Sequence, residues 1–187
     1  MGRWKADGRG RLEEAALALF GERGYENTTV AQIAARAGLT ERTFFRYFAD
    51  KREVLFWGSG TLQELMVNAL VTAPLSAAPL AAVADALDAA GTVLQDRFEI
   101  ARRRHTVIVA SAELRERELI KLASLAAALA DALSRRGTTG PTATLTAEAG
   151  IAVFRVAFER WVTETAPQEL PQLIRESIEE LRVVTAR

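Results

Sequence analysis

The stretch Thr28–Leu55, TTVAQIAARAGLTERTFFRYFADKREVL, decides how the chain is read. Thr29 is a good helix N-cap, and Gln32 three residues later completes a capping box. Val30, Ile33, Ala34 and Ala37 then recur on one helical face. Gly38 closes this first helix, because a residue without Cβ takes the left-handed position after a helix at little cost. Thr40 caps a second helix, from about Glu41 to Tyr47, with Phe44 and Phe48 on its apolar side. Asp50, with Glu53 three positions on, forms a similar capping pair and opens a third helix. Helix, short turn, helix is the helix-turn-helix layout, in which the second helix can lie in a DNA major groove.

The spacing is more specific than that layout alone. The stretch carries T-x-x-x-I-A-x-x-A-G-[LV]-[ST], then T-[LF]-[FY]-x-[YH]-F, then a short gap and Lys. Here these are Thr29, Ile33, Ala34, Ala37, Gly38, Leu39, Thr40, Thr43, Phe44, Phe45, Tyr47, Phe48 and Lys51. In this it resembles the DNA-binding region of the tetracycline-repressor (TetR) family of transcriptional regulators. The motif covers Thr29 to Lys51, and the remainder is similar to the family in length and all-helical character. The resemblance implies DNA-binding positions at Thr43, Phe45, Arg46, Tyr47 and Lys51, and Thr29, Thr40 and Arg42 are further candidates. Arg42 and Arg46, one turn apart, can each offer a planar fork to guanine O6 and N7. Tyr47 can give its hydroxyl to a phosphate, and Lys51 adds charge beside a helix N-terminus. Phe45 stands where Tyr is commoner, so a phosphate hydrogen bond is lost, while its ring can meet a thymine methyl or a sugar.

Working outward, Arg9 to Arg23 reads as a preceding helix, with Leu12, Ala15, Ala16, Leu19 and Phe20 as its apolar stripe. Gly24 comes next as its C′ residue, and Phe20 and Tyr25 brace the helix-turn-helix pair. Arg3, Trp4 and Lys5 form either a minor-groove arm or a solvated terminus. The helix opened by Asp50 is expected to run without a break from Lys51 to about Leu70, through Leu55, Leu62, Leu65, Met66 and Ala69. The division expected on these grounds is a helix-turn-helix domain over residues 1–52 and a ligand-binding and dimerisation domain over 53–187. The fold class is all-α, the head being joined to the second domain by one continuous helix.

The second domain reads as further amphipathic helices. Pro74 and Pro79 interrupt the chain, after which Leu80 to Phe98 places Val83, Leu87, Leu94 and Phe98 inward. Arg102, Arg103, Arg104 and His105 then run into the apolar Thr106–Ala110. This basic cluster is either a receiver for the carboxylate or phosphate head of a ligand or an exposed helix end. Glu113 to Arg136 carries Leu119, Leu122, Leu125, Leu129 and Leu133 on one side, and Gly137 to Pro141 is a loop. From about Thr146 to Glu164 the chain is apolar on most sides, so it must be covered on more than one face. Pro167 or Pro171 opens a last helix. Broad apolar faces on the two C-terminal helices suggest a four-helix homodimer interface through Ile151, Leu170, Leu173, Ile174, Ile178 and Leu181, with intramolecular core as the alternative.

The resemblance implies a ligand pocket between the long helices. Its candidate lining is Trp57, Met66, Phe98, Arg102, His105, Ile108, Leu125, Phe154, Phe158 and Trp161, with Asn68, Gln95 and Arg155 as polar contacts. The FFRYF segment, the arginine run and ELRERELIKL are similar to regulators with acyl-CoA-like ligand domains. They point to an elongated apolar ligand with an anionic head.

Bulk properties bound the alternatives. The 187 residues, 49% apolar, suffice for one large domain or two smaller ones. The formal net charge is zero. Residues 1–57 hold ten Lys/Arg against eight Asp/Glu, and the rest fourteen against sixteen. The DNA argument therefore rests on the placement of Arg42, Arg46 and Lys51, not on total charge. No run approaches a membrane span, and the N-terminus lacks a signal-peptide or myristoylation pattern. Zero cysteines exclude disulfides and thiol chemistry and fit a reducing cytoplasm. No cofactor is expected. A metal site is not expected either, since His105 is the single His and there is no Cys to join it. An enzyme would need a nucleophile, a metal set or a phosphate loop, and none is legible. A helical interaction module without DNA binding would explain the amphipathic helices but not the Arg42, Thr43, Arg46, Tyr47, Lys51 constellation. The reading is a ligand-responsive DNA-binding regulator, a repressor by preference, binding a pseudo-palindromic operator as a homodimer.

Overall fold

The computed structural model describes residues 8–164 and 168–186. The segment containing Arg3, Trp4 and Lys5, and Pro167, lie outside them. The elements are α1 (Gly8–Arg23), α2 (Val30–Arg36), α3 (Glu41–Tyr47), a 3₁₀ turn (Arg52–Leu55), α4 (Ser59–Thr72), α5 (Pro79–Gln95), α6 (Phe98–Val109), α7 (Ala112–Arg135), α8 (Gly140–Thr163) and α9 (Leu170–Thr185). No strand occurs among the described residues, and the all-α class holds. No helix among them is long and apolar enough to cross a membrane.

The chain forms two compact units. The first comprises residues 1–58 and 103–118, and the second 59–102 and 119–187. A division at residue 52 does not anticipate that 103–118, the end of α6 and the start of α7, belong with the head. That assignment depends on contacts far apart in sequence.

In the first unit α1, α2 and α3 pack around Leu12, Ala16, Phe20, Ile33, Ala34, Phe44 and Phe48, all buried. Phe44 and Phe48 stack at a centroid distance of 5.2 Å, and Phe20 meets Tyr25 at 5.3 Å. Gly24 and Gly38 take φ of 81° and 65°, so both helix ends are closed in the left-handed region, as expected.

The continuous helix from Lys51 to Leu70 is not formed. Asp50 does act as a cap, its Oδ1 accepting from the backbone N–H of Arg52 and Glu53 at 2.8 and 3.1 Å. It opens only a single 3₁₀ turn, and α4 starts at Ser59. Val54, Leu55 and Phe56 are all buried. Gly58 and Gly60 weaken helix at the junction.

In the second unit α5 packs against α4, α8 and α9, and α8 against α9. Met66, Val83, Leu87, Leu125, Leu129, Leu133, Phe154, Trp161, Leu173 and Ile174 are among the buried core residues. Two glycines permit the close approaches. A Cβ on Gly150 would stand 2.4 Å from Val83 Cγ1, and one on Gly91 would stand 2.8 Å from Ile174 Cδ1. Two boundaries differ from expectation. The helix before the arginine run ends at Gln95, so that run lies inside α6 and not at a helix end. Likewise α8 begins at Gly140 with Pro141 in its first turn, where a ring with fixed φ and no N–H costs nothing.

Candidate functional site

The turn between α2 and α3 is over-determined locally. Thr29 Oγ1 accepts from the N–H of Gln32 at 3.3 Å, and Gln32 Oε1 returns the bond to the N–H of Thr29 at 3.0 Å, the full capping box. Thr40 Oγ1 accepts from the N–H of Thr43 at 3.2 Å and lies 3.0 Å from Thr43 Oγ1. Arg11, from α1, donates to the carbonyl oxygen of Ala37, clasping the turn at its Gly38 corner. These bonds fix which face α3 presents.

On that helix Phe44 is fully buried, while Phe45 is 54% exposed and Arg42 and Arg46 are exposed. Phe45 meets the edge of Phe44 at 5.5 Å and 81°, so its ring is held although open to solvent. Arg46 lies over the Tyr47 ring at 5.0 Å and donates to its hydroxyl at 3.3 Å. Arg9 lies over the same ring at 5.5 Å. α3 therefore shows two guanidinium groups, one phenyl ring and a half-buried phenol on one surface, with no carboxylate but Glu41 in the helix itself.

Lys51 is placed differently from its neighbours. Its ammonium donates to the carbonyl oxygens of Tyr25 and Thr28, at 2.8 and 3.0 Å, and lies 3.9 Å from the Tyr25 ring centre. Two of its three donors are thus engaged inside the head. Burial, and then the Glu113 carboxylate that accepts its hydrogen bond at 3.3 Å, push the Tyr25 phenol above its ordinary pKa.

The arginine run is likewise engaged. Arg103 pairs with Glu14 at 2.9 Å. Arg104 donates to the carbonyl oxygen of Leu55 at 2.7 Å, pairs with Glu118 at 3.3 Å and lies over the Phe56 ring at 4.9 Å. Burial draws the Arg104 guanidinium below its ordinary pKa, and Glu118 opposes that. Arg117 reaches Glu53 at 2.6 Å. Sequence reasoning missed these side chains as the fasteners of residues 103–118 to the head. The one available signal was the alternation of Arg115 and Arg117 with Glu116 and Glu118.

The candidate ligand residues divide between the units. Trp57, His105 and Ile108 belong to the first, and Met66, Phe98, Arg102, Leu125, Phe154, Phe158 and Trp161 to the second. The structure brings four of the latter together. Phe98 meets Trp161 at 5.1 Å, Phe158 meets Trp161 at 5.7 Å and Phe154 meets Phe158 at 5.9 Å. Ile108 is fully buried in the first unit. Gln95, offered as a polar ligand contact, instead accepts the N–H of Leu170 at 2.8 Å and so caps α9. Asn68 and Arg155 are exposed.

The residues expected at a homodimer interface lie in or against the core of the single chain. Ile151, Leu170, Leu173, Ile174 and Ile178 are buried within the single chain, and Leu181 packs against the same core. α9 packs against both α5 and α8. Exposed apolar side chains on α8 and α9 are others: Leu145, Val156, Val183 and Val184.

Comparison with known proteins gives these arrangements a family. Residues 12–56 match the model for bacterial regulatory proteins of the tetR family, and residues 77–186 match that for the MftR C-terminal domain. The chain belongs to the TetR family. Its TetR-family relatives include the transcriptional regulator TcmR of Streptomyces glaucescens, 42% identical over 43% of this chain. The chain spans about a third of that relative's length, 36%, in the match. The regulator MftR of Mycobacterium tuberculosis, named for mycofactocin biosynthesis, is 27% identical over 82% of this chain and 79% of its own. Among solved structures, a Thermus thermophilus TetR-family repressor, FadR, in complex with lauroyl-CoA, is similar at a TM-score of 0.59. It shares 20% identity over 96% of this chain and 95% of its own, a likeness of fold.

Proposed function

We propose that this TetR-family chain is a cytoplasmic, ligand-responsive transcriptional repressor that reads a pseudo-palindromic operator as a homodimer. The observation that carries the reading is the split of adjacent residues on α3. Phe44 is buried, while Arg42, Phe45 and Arg46 stand exposed, Phe45 braced on Phe44 and Arg46 on Tyr47. Two guanidinium forks on a capped helix suit base edges in a major groove. Thr29, Thr40, Thr43 and Tyr47 serve the same face by holding the turn or meeting phosphate, and Lys51 contributes its field while its head is held by carbonyls.

Release is assigned to a small apolar ligand taken up by the second unit, where Phe98, Phe154, Phe158 and Trp161 cluster. An acyl-CoA-like compound is the class favoured by the similarity to the lauroyl-CoA-bound repressor. Dimerisation is assigned to the outer faces of α8 and α9, through Val156, Val183 and Val184, since the inner faces are already covered.

Selection from a pool of random-sequence duplexes tests the reading. A repressor of this kind enriches two inverted half-sites with centres one helical turn or a multiple apart, about 34–36 Å per turn. Sedimentation of the protein should give twice the chain mass. A monomer that enriches no sequence is instead a helical interaction module.

A further inference from the structure

Trp161 is the largest fully buried side chain of the second unit, at 0% exposure. Its indole Nε1 has no hydrogen-bond partner among the described residues. A buried donor left unpaired gives up its hydration for nothing in return, so a native core rarely keeps one without use. An indole N–H is donor-only and fixed in the ring plane, so it cannot turn to find another acceptor. Ser177 Oγ is also buried and without partner. A hydroxyl rotates, however, and reaches its own helix carbonyls with little change. The indole is the more informative group.

Its surroundings select the ligand chemistry. Phe98 from the start of α6 and Phe158 from α8 flank the indole at 5.1 and 5.7 Å, both only partly buried, so the cluster reaches the surface of the unit. Val162, Leu170 and Leu173 belong to the same apolar core. Gln95 Oε1, an acceptor on the neighbouring α5, is spent on the N–H of Leu170. The cluster therefore offers aromatic faces beside one unpartnered N–H.

We propose that Trp161 Nε1 donates to a carbonyl oxygen of an apolar ligand whose body lies against Phe98 and Phe158. This rests on the second unit being the ligand-binding part of the chain. The ligand class is a compound with a neutral carbonyl, either a planar ketone or an acyl thioester, set in an apolar frame. A bare hydrocarbon leaves the donor unpaired and binds more weakly.

Two matched probe pairs test this on the full chain. Acetylnaphthalene is set against isopropenylnaphthalene, and octanoyl-CoA against the octyl-CoA thioether. Each pair differs only at the carbonyl, C=O becoming C=CH2 in the first and CH2 in the second. The readouts are affinity and the ¹⁵N-indole resonance of Trp161, assigned by its disappearance in Trp161→Phe. In at least one pair the carbonyl member should bind about ten-fold more tightly. It should move the Trp161 N–H resonance downfield and lose its advantage in Trp161→Phe. The pair that responds tells ketone from thioester. Equal binding within both pairs, no binding by any probe, or an advantage that survives Trp161→Phe overturns the proposal. The wild-type comparison stands even if the variant folds poorly. Failure to enrich any duplex would remove the operator reading and leave this result untouched.

Discussion

The ammonium of Lys51 donates to the carbonyl oxygen of Tyr25 at 2.8 Å, across 26 residues of chain. With the second bond to Thr28 it ties the segment after α3 to the turn before α2. A lysine expected to act on DNA phosphate is thus also a fastener of the head. Lys51→Met should lower the stability of the head by about 1.5–3 kcal/mol, the range for charged hydrogen bonds. The slope of log affinity against log salt should fall by less than the value of about one expected of a full phosphate contact. Urea unfolding and operator titration at two salt concentrations measure both. An unchanged unfolding midpoint with a full unit lost from the slope would reverse the assignment.

Arg46 is exposed on α3 with its guanidinium braced on the Tyr47 ring. Arg46→Ala should cost about 1–3 kcal/mol of operator affinity and relax preference at one base position. Arg46→Lys should recover non-specific binding but not the preference, because an ammonium lacks the planar fork. Repeating the duplex selection with each variant checks this. Normal affinity and preference in Arg46→Ala would show that the base contact lies elsewhere.

Gly150 approaches Val83 so closely that an added Cβ would fall 2.4 Å from a methyl carbon. Alanine is favoured over glycine in a helix by about 1 kcal/mol. Overpacking a core that cannot yield costs about 1–3 kcal/mol. Val83 is fully buried and stiff at χ1, so the clash should win. Gly150→Ala should be destabilising, and Val83→Ala in the same chain should make it less so than the two single changes predict by addition. Thermal unfolding of the four variants gives the cycle, and strict additivity would contradict the contact.

The Arg52 hydrogen bond, aided by the N–H groups of Glu53 and Arg52, holds the Asp50 carboxyl below its ordinary pKa. A carboxylate lowered in the folded state stabilises above its unfolded pKa, about 3.9. That contribution is lost as pH falls through the lower folded value. Because the side chain is more than a third exposed, the effect is screened and small. Between pH of about 4 and 3 the wild type should lose slightly more stability than Asp50→Asn, whose amide oxygen keeps a cap acceptor without titrating. Parallel acid limbs in the two proteins would rule out a linked titration at Asp50.

What could be read from the sequence was whatever a few neighbouring residues settle among themselves. The capping box of Thr29 and Gln32, the Thr40 cap and the positive φ of Gly24 and Gly38 are bonds or backbone states within four residues. The face of α3 is set by Phe44 and Phe48 turning inward, which leaves Arg42 and Arg46 outside. The helical periods beyond Pro79 gave the all-α class in the same way.

Tertiary structure decided how shared resources were spent. Val54, Leu55 and Phe56 are buried in and beside a single 3₁₀ turn where a continuous helix was expected, because burial is set by packing partners and not by local propensity. The cations Lys51, Arg103 and Arg104 are indistinguishable in sequence from free surface charges. Carbonyls and carboxylates 14 to 89 residues away claim them. Leu173, Ile174 and Ile178 have the period of an interface and are buried within the single chain, where α9 packs on α5 and α8. An apolar face records only that something must cover it. Which element does so is a question of long-range geometry that no local pattern contains.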